Sequence, residues 1–214
     1  SLSWGRVNGV DEVTGYTIGL EEGRLGPLRN FDVRLFDFNK PFSEFSFPGL
    51  TLRGVLFETP LWDDRAEAAF IYGQEQSYFR SAFSPALVDE EEAYIEGVRV
   101  SLFPEHNDRY YVNYARGWGD GREAFLKEQV FSFQTEHLRD PWQIRGEIAT
   151  DEQALAMRLF STIQLENIEL SVSLRNIEED FTTITSQPSG VGQVGGRFSL
   201  HWFFVGHSQK LFIP

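Results

Sequence analysis

Trp142-Gln143-Ile144-Arg145-Gly146-Glu147-Ile148-Ala149 alternates without a break. Trp142, Ile144, Gly146 and Ile148 share one side, and Gln143, Arg145, Glu147 and Ala149 share the other, so the period is two and the segment is a strand. After a polar break at Thr150 to Gln153 the pattern resumes, with Leu155, Met157, Leu159 and Ile163 against Ala154, Ala156, Arg158 and Thr162. A tight break at Glu166-Asn167 leads to Ile168, Leu170, Val172 and Leu174 against Glu169, Ser171, Ser173 and Arg175. Residues 151 to 163 also fit a helix, with acidic residues at its start and Leu155, Leu159 and Ile163 at four-residue spacing.

A soluble sandwich alternates in the same way, so the pattern alone leaves open which face is wet. Segment length discriminates between the two. Strands of about ten residues match a tilted crossing of a hydrocarbon layer, whereas ordinary strands are nearer five or six. The expectation is an all-β fold: an antiparallel, up-and-down transmembrane β-barrel of about twelve strands, covering 1–214 as one domain.

Working outward, weak strand signals occur at Ser1 to Asn8 and Thr14 to Leu20, and a polar break runs from Glu21 to Asn30. Phe31, Val33 and Leu35 alternate until Phe36-Asp37-Phe38 slips the phase, as a bulge or the rim of the sheet would. Leu50 to Thr59 and Ala66 to Gln76 form a hairpin around 60–65. Further strands follow from Ala93, Tyr110 and Lys127, and Arg197 to Phe204 is the last clear one. Every second break, at 39–49, 77–92, 119–126 and 178–196, is long; those at 60–65, 104–108, 138–141 and 166–167 are short. Long loops at one end and tight turns at the other are expected of an up-and-down membrane barrel. The breaks at Glu21 to Asn30 and at Thr150 to Gln153 depart from this parity. An even strand count would put both termini at the short-turn end, with the loops at 39–49, 77–92 and 178–196 facing outward.

Composition bounds the possible functions. The formal net charge of -13 argues against a nucleic-acid partner, which needs a basic footprint. There is no Cys, hence no disulfide framework or thiolate metal site. An aromatic content of 15% beside a negative mean hydropathy suits an apolar belt around a polar interior. No apolar run reaches the length of a transmembrane helix. No positively charged segment followed by an apolar run stands at Ser1, so the export signal that an outer-membrane protein needs in its precursor is expected to have been removed or omitted.

The alternation, the loop parity and the aromatic strand ends resemble the outer-membrane β-barrel proteins of Gram-negative bacteria. The segment Asp180-Phe181-Thr182-Thr183-Ile184-Thr185-Ser186-Gln187-Pro188-Ser189-Gly190, leading to Gly195-Gly196, is similar to an inter-strand loop of larger barrels of this type. Such barrels often finish on an aromatic residue; here Phe212 is followed by Ile213-Pro214, which points to a segment of a longer barrel protein. The resemblance implies location in the bacterial outer membrane, the lipid bilayer as partner, and a porin or channel for small polar solutes or else a membrane scaffold that engages a protein partner.

The polar face would then line the lumen: Arg99, Asn113, Gln134, Glu136, Arg145, Glu147, Arg158, Glu169, Arg175, Arg197 and His201. Opposite charges on neighbouring strands would pair and narrow the interior, or tune the selectivity of a remaining pore. A soluble sandwich or barrel that binds a carbohydrate or apolar ligand through exposed Trp and Tyr is the alternative. A barrel-embedded hydrolase is a third reading, resting on Ser199 and His201, which project to one side of a strand but lack a third group to orient the imidazole. His106 and His137 sit at turns and are expected to be solvated. The run Asp89-Glu90-Glu91-Glu92 reads as a solubilising loop rather than a divalent-cation site. No cofactor or metal motif is present: there is no Walker loop, HExxH, GxSxG or EF-hand pattern.

Overall fold

The computed structural model describes residues 2–7, 10–26, 28–75, 94–119, 129–184, 188, 190–204 and 207–213. Among them the regular structure is all strand: β1 (Leu2–Val7), β2 (Val10–Leu25), β3 (Leu28–Phe38), β4 (Leu52–Leu61), β5 (Ala66–Glu75), β6 (Tyr94–Leu102), β7 (Asp108–Trp118), β8 (Gln129–Arg139), β9 (Trp142–Thr150), β10 (Leu155–Leu165), β11 (Ile168–Ile177), β12 (Val194–Phe204) and β13 (His207–Ile213). Each strand is antiparallel to its sequence neighbours in a single 13-stranded sheet ordered β1 to β13. Among the described residues no pairing joins β13 to β1, so the sheet is open. With β13 added beyond the last strand clear in the sequence, β1 and β13 run the same way. The expectation of an even count with both termini at one end is thereby corrected.

The loop parity holds for most connections, the exceptions at the long-loop end being the short links from Val7 to Val10 and from Thr150 to Leu155. At one end, the turn end, β2 and β3 are joined between Leu25 and Leu28, β8 and β9 between Arg139 and Trp142, and β10 and β11 between Leu165 and Ile168. The apparent long break at Glu21 to Asn30 is strand on both sides. It looks like a loop because β2 shifts register between Leu20 and Gly23, where Glu22 has φ 52°. The phase slip expected at Phe36–Phe38 takes the form of a positive φ of 73° at Phe36 and of adjacent buried residues, Asp37 and Phe38, at the end of β3, while Leu35, Phe36 and Asp37 pair with Val55, Gly54 and Arg53 without a register shift.

The possible helix at 151–163 is strand β10. Asp151 is indeed a cap, but of a tight turn: its Oδ1 accepts hydrogen bonds from the backbone N–H of Gln153 (3.2 Å) and Ala154 (2.9 Å). An Asx turn and a helix N-cap use the same carboxylate-to-backbone bond, so the local signal does not separate them.

Burial decides the faces. In β7, Val112 is 51% exposed and its neighbour Asn113 is fully buried; in β8, Phe131 is 47% exposed and Ser132 only 5%. Ile148, Leu159, Leu174 and Trp202 are exposed as well. This reverses the arrangement of a soluble sheet, in which the apolar face is covered.

The polar face is covered by the chain itself. Residues 39–51, between β3 and β4, fold onto it instead of facing outward as the sequence suggests. Phe42, Phe45 and Phe47 of this segment are buried with Leu52, Leu56, Ile71, Ile95, Val130, Phe181 and Ile184 in one apolar cluster near the long-loop end. Phe181 and Ile184 belong to the loop after β11, so that loop also turns inward. Phe45 meets Phe181 edge-on at 5.7 Å between centroids, and the N–H of Ile184 donates to the carbonyl of Ser46. The acidic run at 89–92 lies outside the described residues.

Candidate functional site

Registration places every predicted polar-face residue on the same side of the sheet. Arg99 stands opposite Asn113, and Asn113 opposite Ser132. Gln134 faces Glu147, Glu147 faces Arg158, and Arg158 faces Arg175. One level nearer the turn end, Glu136 faces Arg145 across β8 and β9, and Arg197 faces Ser173 across β11 and β12. Glu169 and His201 pair last, closest to the turns.

The inserted segment organises these residues. Its backbone forms a tight turn in which the N–H groups of Phe42 and Ser43 both donate to the carbonyl of Phe47. Ser43 secures that turn by accepting from the N–H of Ser46 at 2.9 Å, and its Oγ also lies 3.1 Å from Ser132 on β8. Arg99 on β6 donates to the carbonyl of Phe42 at 2.8 Å while its guanidinium lies 4.2 Å from the Tyr111 ring centroid. The N–H of Phe45 donates to Glu147 on β9. Glu44 accepts from Arg158 on β10 and from Arg175 on β11, the latter at 3.0 Å.

These contacts establish curvature. In a flat sheet β6 and β11 would lie roughly 24 Å apart at about 4.8 Å per strand, yet four consecutive residues, about 10 Å of chain, reach both. The sheet therefore curls around the segment, and its polar face is the inner one.

Electrostatically the inner face is a series of small ion-pair groups. Arg175, Glu44, Arg158 and Glu147 form one chain, with Arg158 3.1 Å from the nearly inaccessible Glu147. Such a buried carboxylate needs its cation, because removing one partner of a desolvated pair leaves the other uncompensated. Glu136 is shared by Arg109 at 3.9 Å, Arg145 at 3.7 Å and the Tyr111 hydroxyl at 3.3 Å. Lys40 reaches Glu58 at 2.5 Å. At the turn end His137 is paired with Asp108, which also holds Arg139 at 2.7 Å, so His137 is engaged rather than simply solvated.

Among the described residues, cavities lie beside the segment. A polar one of about 630 Å³ lies toward the turns of β3 to β6 and is lined by Asp32, Arg34, Lys40, Glu58 and Glu67. A larger one, about 940 Å³, follows the inner face of β11 and β12 and includes Arg175, Arg197, Ser199 and His201. The pair singled out for hydrolysis lies here, with the Ser199 hydroxyl 2.5 Å from that of Ser171. Glu169, in register with His201, is a carboxylate that spacing along a single strand could not have associated with it. Glu44 and Arg109 were also missed. Glu44 sits in an aperiodic Phe-rich break, whereas Arg109, two residues before Tyr111 on β7, was available to the alternation. No family model, curated protein or solved structure matches the chain.

Proposed function

We propose that this chain forms the wall of a bacterial outer-membrane β-barrel, with lipid against its apolar outer face and a lumen narrowed by residues 39–51, through which small polar solutes pass. The observation that carries this reading is the inverted burial of β7 and β8, where Val112 and Phe131 are exposed while Asn113 and Ser132 are buried. In water, a continuous exposed apolar face would drive association; against hydrocarbon it is the expected surface.

The position of the aromatic residues supports the same reading. Tyr72, Tyr94 and Trp118 cluster at the loop end with centroids 6.0 to 6.3 Å apart, and Tyr110, Trp142 and Trp202 mark the turn end. The strand from Tyr110 to Trp118 is roughly 27 Å long, or about 21 Å of depth at a 40° tilt, close to the height of an apolar belt between aromatic girdles. In hydrocarbon each unpaired edge group costs several kcal/mol, so the proposal includes pairing of the sheet edges within the membrane.

The test is purification with and without detergent, followed by liposome flotation in alkaline carbonate. The proposal expects a β-sheet circular-dichroism spectrum only with detergent or lipid, a heat-dependent shift in gel mobility, and flotation with the vesicles. A monodisperse, folded protein in plain buffer that stays at the bottom of the gradient overturns it.

A further inference from the structure

Building on the membrane-barrel reading, we propose that the lumen's passage runs along β11 and β12 and selects small anionic solutes. The inserted segment meets β6 through Arg99 and β8 to β11 through Ser43, Glu44 and Phe45, and among the described residues its last contact with a strand in that direction is Glu44 on Arg175. Beyond Arg175 the inner face opens into the 940 Å³ cavity. Gly195 lies directly opposite Arg175 in register, and a Cβ added there would meet nothing within 4 Å. The free width at this level is therefore set by a missing side chain.

The wall of this passage is rich in hydrogen-bond donors. From the loop end inward a solute meets Arg175, then Arg197 beside Ser173, then the paired hydroxyls of Ser171 and Ser199. The lining holds one carboxylate among its described residues, Glu169, at the far end and opposite His201. The arginines differ in compensation. Arg158 and Arg175 share Glu44, and Arg109 and Arg145 share Glu136, whereas among the described residues Arg197 has no ion-pair partner.

A guanidinium offers a carboxylate or phosphate two parallel donors, and serine hydroxyls continue the contacts without holding the ion tightly. Conduction needs that combination, since each site must be favourable enough to enter and weak enough to leave. With the chain at -13 overall, the preference for anions has to come from this local positive wall.

Detergent-folded protein in a planar bilayer across a potassium chloride gradient tests this, with reversal potential as the readout. The expected result is a chloride preference, reduced several-fold in Arg197→Gln and converted to a potassium preference in Arg197→Glu. In Gly195→Trp most of the conductance is lost at unchanged gel mobility. Cation preference in the native protein, or a reversal potential unmoved by Arg197→Glu, overturns the inference while the barrel stands. Protein that floats with vesicles but never conducts overturns the passage and leaves a scaffold. Protein that fails to float removes the membrane reading and this inference together.

Discussion

Gly97 shows how a single position admits the inserted segment. A Cβ there would lie 2.7 Å from the Phe42 ring and 3.1 Å from Cγ1 of Ile71, so β6 accepts Phe42 only because it carries no side chain at that point. Gly97→Val is expected to displace Phe42 and lower stability by about 1–3 kcal/mol, the usual range for overpacking. Thermal unfolding of the detergent-folded protein measures it, and an unchanged midpoint would mean that the segment does not press on β6. The same position shows what single residues conceal. Gly97 reads in the sequence as one more member of an alternating strand, because nothing near it in the chain announces an aromatic ring arriving from residue 42. Glu44 is illegible for the same reason: its partners Arg158 and Arg175 stand out as members of a periodic face, whereas Glu44 has no period to belong to.

The 39–51 segment and the strands differ in how far their sequence declares them. β9, β10 and β11 are legible because burial on one face only imposes a period of two that local residues must obey. The segment is held by side chains from β4, β6 and β8 to β11, and those constraints are scattered along the chain. Its Phe residues resemble those of an outward loop or an edge strand until the sheet that receives them is known. Replacing 40–49 by a short Gly/Ser linker is expected to raise single-channel conductance severalfold, since Lys40, Phe42, Glu44 and Phe45 leave the lumen. Planar-bilayer recording checks this, with gel mobility as the folding control; unchanged conductance would place the constriction elsewhere.

For the sheet as a whole, one face meets the surroundings and the other meets the chain's own interior segment, and the outward face carries few charges, Glu96 beside Arg116 among them. Leu159→Arg, on the exposed apolar face of β10, is expected to destabilise the bilayer-embedded protein by about 2–4 kcal/mol, whereas at a water-facing surface position such a change stays within about 0.5 kcal/mol. Urea unfolding in liposomes measures the difference, and a neutral result would put water at Leu159. Which face is apolar was legible from Trp142 to Arg175 alone. Which face is exposed required the structure, because alternation is symmetric under exchange of inside and outside, and only strand length and loop parity broke that symmetry. The inserted segment also carries a consequence for the order of assembly. Phe45 and Glu44 wait for partners 102, 114 and 131 residues further along the chain, and contacts of such separation form slowly because a long loop must close first. In the barrel proposed above, a sheet already sealed would bar the way, so β8 to β11 are expected to wrap around a segment that precedes them. In that barrel the segment would act as a mandrel for the wall, present before the sheet closes around it.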